Sequence, residues 1–358
     1  MYWIILFSTL CVVLTYLEDR GIIKHGMRLG FFIMILFLSI RYEYGNDFSS
    51  YRDIFLNVKM YKWNELNDLT QWIEIGWLVL CKLFQPIGFQ GLITFHTIFI
   101  FTSVYYLINK HVPTKYKTLA VFFFLFNSNI LVIYLSMLRQ SMAICCFILA
   151  MDVALDRKIG KMIVLTLLAF LLHRSAIIII PFILLSYSSS SWIIKTTGII
   201  LCGLLLIMII NPSVAGNIFF YALSSIDTLG NEYEHYLEAG SKGSGLGLIA
   251  ESIVFLPFLF NYKKFSNTEK VIVLIFFINI VSFPMQYIVA MFSRIRFYFV
   301  SLGIIAIPLL FKRTSRFDYK IIIGAVLVLI TLWNYYSFFN SDVFYRYYYT
   351  YNTIFNLI

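Results

Sequence analysis

Apolar runs close to bilayer length recur from one end of this chain to the other, and no other feature limits its fold as severely. Leu29 to Ile40 carries no charge at all, and Lys161 to Tyr187 is interrupted only by His173 and Arg174. Hydrocarbon offers nothing to bond a backbone N–H or C=O, so segments of this kind become helices. The expected fold is an all-α polytopic membrane protein. Since 60% of the residues are hydrophobic and no polar stretch exceeds roughly 35 residues, too few for a separate core, residues 1–358 are read as a single transmembrane domain. Its longest polar loops are 41–74 and 213–246.

The formal net charge of +10 invites a nucleic-acid reading, which the distribution excludes: Lys and Arg stand in short clusters between apolar runs, not in a stripe along one face. All five cysteines lie inside apolar segments without CxxC spacing, so neither a disulfide framework nor a zinc site is indicated. Neither a DxD triplet nor HExxH occurs, and no metal or cofactor is expected. The N-terminal run lacks a basic region before it and a small-residue cleavage site after it, and reads as a retained span.

Positive charge marks the cytoplasmic side. Placing Arg20/Lys24/Arg28, Lys110/Lys115/Lys117, Arg157/Lys158/Lys161, Lys263/Lys264/Lys270 and Lys312/Arg313/Arg316/Lys320 inside gives about 12 crossings. Ile75 to Phe89, with Lys82 within it, is then too short to cross and becomes a re-entrant or interfacial helix. Lys161 to Tyr187 is either one long tilted helix or two short ones meeting near His173; only the second choice leaves loop 213–246 outside.

With this threading the polar residues that interrupt apolar runs share the outer side: Arg41, Asp47, Glu74, Arg139, Gln140, His173, Arg294 and Arg296. Charge inside a membrane is costly and normally faces protein or a wet cavity. Arginine offers a flat fork of donors that grips phosphate oxygens in pairs, so several of them on one side suit a diphosphate. Gly45 permits a tight turn aiming Asp47 toward the cavity, and Tyr51 adds a flat amphipathic face. Asp47 is the first candidate for a general base and His173 the second. Arg139 stands with them as the third catalytic candidate.

Taken in order, "RYEYGNDFSSY" (Arg41, Gly45, Asp47, Tyr51), "EIGW" from Glu74, "LRQSMA" (Arg139, Gln140), "HRSA" (His173, Ser175) and "RIRFY" (Arg294, Arg296, Tyr298) resemble the EpsG-like branch of the Wzy-type polymerases that build O-antigen and other exopolysaccharides. Tyr351 and Asn352 match that family's C-terminal pattern only loosely. The resemblance implies a GT-C-like glycosyltransferase architecture and joining of undecaprenyl-diphosphate-linked repeat units, donor and acceptor both lipid-linked. It implies the periplasmic face of a bacterial inner membrane, with a chain-length regulator as a further partner. Arg41, Gly45, Tyr51, Glu74, Gln140, Arg294, Arg296 and Tyr298 would then bind substrate. Fixed positive charge makes sense there, because a diphosphate leaving group gathers negative charge as the glycosidic bond breaks.

Loop 213–246 joins an acidic stretch containing Tyr233 and Tyr236 to a glycine-rich one, and reads as a lid over the sugar chain. Other functions fit the same composition. A lipid-linked-oligosaccharide flippase would also be multi-pass and basic, although intramembrane charge would then appear on both sides. An O-antigen ligase or a histidine-using acyltransferase ranks below it.

Overall fold

The computed structural model describes residues 1–188, 190–210, 246–285 and 291–357. Loop 213–246 lies outside them except for its final residue, and with it the lid reading and Tyr233 and Tyr236. The described residues form two compact units, Met1–Ile180 with Thr331–Ile358, and Pro181–Ile330. Both are built of helices. Among the described residues the only strand pairing is a two-residue antiparallel ladder, β1 (Arg41–Tyr42) with β2 (Asn352–Thr353).

In the first unit, α1 (Tyr2–Asp19) and α2 (Gly26–Ser39) form a hairpin, followed by α3 (Phe48–Met60), the short α4 (Ile75–Leu83) and the long α5 (Phe89–His111). A broken pair, α6 (Lys117–Phe126) and α7 (Leu131–Ser136), leads into α8 (Leu138–Leu155) and α9 (Ile159–Leu172). α5 and α8 are apolar on most of their surface and are largely buried against their neighbours.

These two helices separate two chemically different ends. At one end Lys110 and His111 of α5 meet Asp152 of α8 at 2.7 and 2.6 Å, Lys158 pairs with Asp156 at 2.9 Å, and Lys117 approaches Glu18 at 3.4 Å. At the other end Gln90, in the first turn of α5, bonds the Ser39 and Arg41 carbonyls, and Arg139 lies in the first turn of α8. At 1.5 Å per residue α5 runs about 34 Å, so the basic cluster and the Gln90 and Arg139 end of this unit stand roughly a bilayer apart.

The two irregular stretches resolve as follows. α4 has 9 residues, about 14 Å, and does not cross. Its lysine has a structural reason: Lys82 Nζ donates to the carbonyls of Val58, Lys59 and Tyr61, capping the end of α3 with a cation where a helix end carries partial negative charge. Further on, α9 stops at His173, whose backbone is extended at φ −158° and ψ 119°. A 3-10 turn, Arg174–Ile179, and then α10 (Ile180–Ser188) follow. One long helix through His173 is therefore excluded.

The second unit contains α11 (Ser191–Ile210), α12 (Leu246–Asn261), α13 (Asn267–Met285), α14 (Met291–Val300) and α15 (Gly303–Arg313), and α16 (Phe317–Phe339) leads out of it. Lys312 and Arg313 at the end of α15 pair with Glu269 at the start of α13, at 3.0 and 2.7 Å. Among the described residues four helices are long and apolar enough to cross a membrane, or five if the pair Phe292–Val300 and Gly303–Arg313, bent by 50°, is one broken span. The chain is an all-α membrane protein.

Candidate functional site

Glu74 is the hub of the first unit's polar end. It immediately precedes α4, and its carbonyl accepts the amides of Trp77 and Leu78 in the first turn. One turn in, α4 closes on α9 through Gly76: a Cβ there would lie 2.6 Å from the Leu171 carbonyl oxygen. Only a residue without a side chain permits that approach, which brings Glu74 to the end of α9, where His173 begins.

The Glu74 carboxylate is fully engaged. Oε1 accepts from His173 Nδ1 at 2.8 Å and from the Arg174 amide at 3.1 Å, while Oε2 accepts from Arg139 Nη1. Arg174 also reaches the Thr70 carbonyl through Nη2. The Arg139 guanidinium lies over the Tyr51 ring, 5.7 Å from its centroid, and Tyr51 in turn meets Trp77 edge-on at 5.2 Å. Four stretches distant in sequence thus converge around a buried carboxylate.

The electrostatics follow from burial and from partners. Burial alone pushes the Glu74 carboxyl upward, but the His173 hydrogen bond and the Arg139 charge overcome it and hold the group at about 2. Glu74 is therefore an anion at neutral pH and can only accept. The proton of a neutral His173 then sits on Nδ1, assigned from this hydrogen bond, and Nε2 makes no hydrogen bond among the described residues. A carboxylate that fixes the tautomer and orientation of a partly exposed imidazole leaves its far nitrogen ready to take a proton. Beside it stands Arg139, whose Nε is buried without a protein partner among the described residues.

Substituting Gly76 tests this arrangement from outside the polar groups. Gly76→Val is expected to push α4 away from the Leu171 backbone and to lengthen the Glu74–His173 contact, at a cost of about 1–3 kcal/mol in stability. Thermal unfolding of the detergent-purified protein measures it; an unchanged midpoint would contradict the close packing.

The remaining sequence-derived residues divide into two groups. Arg41 is wholly buried: Nη1 donates to the Leu38 carbonyl at 2.8 Å and to Thr97 Oγ1 at 2.9 Å, while Nε and Nη2 have no protein partner among the described residues. Burial pulls its pKa down to about 10, still far above neutrality, so it remains a cation. Gly45 makes the expected tight turn at φ +113°, against the Leu135 carbonyl. Asn46 Nδ2 bonds Asp47 Oδ1 at 3.0 Å and Asn46 Oδ1 accepts from Ser136, so Asp47 is held at the start of α3. Gln140, next to Arg139 on α8, is turned into the core.

Arg294, Arg296 and Tyr298 belong to the second unit. Arg296 is buried, donates through Nε to Asn279 Oδ1 at 2.8 Å and lies 4.5 Å from the centroid of the Phe283 ring; Tyr298 is buried as well. Among the described residues no three His, Cys, Asp or Glu side chains come together in a way that could hold a metal ion.

A family model describing the EpsG family matches residues 27–353, nearly the whole chain. The chain belongs to the EpsG family. No curated protein and no solved structure matches it. Membership accords with the ordered motifs from Arg41 to Tyr298 and supports an exopolysaccharide polymerase type of function. Sequence reasoning did not anticipate that Glu74 is the hub, nor the parts played by Thr70, Trp77 and Thr97. One signal was available for the first: a lone carboxylate directly before an apolar helix whose second residue is glycine, in a chain with few acids.

Proposed function

We propose that this EpsG-family protein is a polysaccharide polymerase that joins undecaprenyl-diphosphate-linked oligosaccharide repeat units by metal-independent glycosyl transfer, in a bacterial inner membrane crossed about 12 times by a GT-C-like fold. The observation that carries this reading is the Glu74–His173 pair set against Arg139. An acceptor sugar hydroxyl attacks the anomeric carbon of the donor, and the bond from that carbon to the diphosphate oxygen breaks. His173 Nε2 takes the hydroxyl proton, with Glu74 stabilising the imidazolium that forms. Arg139 and Arg174 face the charge growing on the lipid diphosphate, which leaves without needing a proton.

In this reading Asp47 orders the acceptor side, and His173 becomes the base because its hydrogen-bonding partner prepares it for that task. Arg41 acts through its field from within the protein rather than as an open fork, and Gln140 supports Arg139 from the core. Arg294, Arg296 and Tyr298 keep the substrate-binding role that the family resemblance implies. The basic clusters at the far end of α5 support a periplasmic site through the positive-inside bias.

The test is genetic. Deleting the gene is expected to leave a single repeat unit on the surface glycolipid, seen on a gel; a flippase mutant would carry none, and a ligase mutant would accumulate finished polymer on its carrier. Complementation with Arg139→Lys should restore polymer poorly, with a rate lower by roughly tenfold or more, because a point charge cannot bond Glu74 and phosphate as a planar fork does. Full-length polymer made at the normal rate by Arg139→Lys would refute the role given to that side chain.

A further inference from the structure

The loop from Arg41 to Asp47 is a poor candidate to hold its own shape. It carries two residues in the left-handed region, Glu43 at φ +48° and Gly45 at φ +113°, and for a non-glycine residue that conformation is strained and persists only where neighbours impose it. A ladder two residues long does not impose much by itself.

The neighbours that do so come from more than 300 residues away. The Gly45 amide donates to the Tyr347 carbonyl at 3.2 Å, and the Ile354 amide to the Ile40 carbonyl at 3.0 Å. Tyr351 stacks on Phe37 at 4.3 Å and its hydroxyl donates to the Phe37 carbonyl; Tyr348 Oη donates to the Val132 carbonyl at 3.3 Å. Tyr44, at the centre of the loop, meets both tyrosines edge-on at 5.2 and 4.9 Å.

We propose that the segment 345–353, with Tyr351 as its main fastening, is a positioning clasp that holds the Arg41–Asp47 loop in its strained conformation and so fixes the start of α3, whose Tyr51 lies under Arg139. Its effect on catalysis rests on the function proposed above. None of its residues touches substrate. Their work is to keep the Tyr51 ring in place, so that Arg139 presents one geometry to the charge it neutralises.

The ladder register supplies the test. Tyr42 and Asn352 are directly opposed, and opposed residues of antiparallel strands stand about 4.5–5.5 Å apart at Cα, within disulfide range. The pair Tyr42→Cys/Asn352→Cys is expected to cross-link in membranes, identified as a linked peptide by mass spectrometry. With the bond formed, polymer synthesis should continue at the rate of the reduced form. Tyr351→Phe, which keeps the stacked ring and deletes one hydrogen bond, should speed amide exchange at Gly45 and its neighbours by roughly fivefold. It should lower turnover by a similar factor without raising the donor concentration needed. Oxidising the cysteine pair in that background should restore both readings, a rescue that a merely destabilised protein would not show.

A pair that fails to cross-link would overturn the proposal. So would unchanged exchange in Tyr351→Phe, or a cross-linked enzyme on the wild-type background that stops and revives on reduction, since the segment would then have to leave during turnover. Exchange and cross-linking report on the clasp whatever the reaction is. Wild-type membranes that make no polymer therefore count against the proposed function alone.

Discussion

His173→Gln should leave the protein folded and bring chain growth down by about 10²–10⁴-fold, the usual worth of a positioned general base. Glutamine keeps a polar side chain of similar reach at the break between α9 and the following turn, and the Arg174 amide still engages Glu74 at 3.1 Å. What disappears is a nitrogen that can take a proton while its ring is held by a carboxylate. The measurement is consumption of lipid-linked repeats by membranes carrying the variant, with expression and unfolding midpoint as controls. Because Arg139 remains, donor affinity should change little while turnover falls. A variant retaining half the wild-type rate would transfer the base to Asp47 or remove base catalysis altogether.

The second large effect concerns Glu74 and has a definite pH window. Its folded-state pKa, about 2, lies below the ordinary value of 4.5. The stabilisation is therefore fully present above about pH 5 and is lost as pH falls through 4 toward 2, when the carboxylate must take up a proton that its partners oppose. A difference of this size corresponds to about 3 kcal/mol. Glu74→Gln should lower stability at pH 7 by about 3–5 kcal/mol, since the Arg139 cation loses its anionic partner in a largely buried place. It should also flatten the dependence of the unfolding midpoint between pH 5 and 3 relative to wild type. Other paired carboxylates, such as Asp152 and Glu269, titrate in both proteins and cancel in the comparison. Parallel pH curves for the two proteins would show that Glu74 is not held as described.

The fold class was readable because its cause is local. Each apolar run needs only its own residues to declare that it prefers lipid and must bond its own backbone. The break at His173 was half legible for the same reason: a histidine and an arginine together inside an apolar stretch admit one helix or two, and the site decided for two by drawing both into bonds with Glu74. Lys82 was legible as an obstacle to crossing, but its partners, the carbonyls at the end of α3, were not, since a helix end looks the same in sequence whether or not a lysine will reach it.

The candidate site was read as a set of types and not as an arrangement. Sequence offered arginines, a histidine and carboxylates as an inventory, and pattern alone ranked Asp47 ahead of His173 and gave Glu74 no special place. The roles depend on distances between α4, α8 and α9, and these depend on Gly76 allowing one backbone onto another. Arg41 shows the same limit. Its position beside an apolar run made it a candidate, whereas its complete burial and its bonds to the Leu38 carbonyl and Thr97 depend on segments that meet only in the folded chain.

The sequence by itself determined that this chain lives in a membrane, is helical and belongs with the EpsG family, because transfer free energy and short ordered motifs are properties of neighbouring residues. Only the tertiary structure decided which acid holds the histidine, which arginine stands beside them and which lies sealed inside. Those choices are made by contacts between segments tens to hundreds of residues apart, whose energies depend on ångström-scale separations that no local pattern encodes.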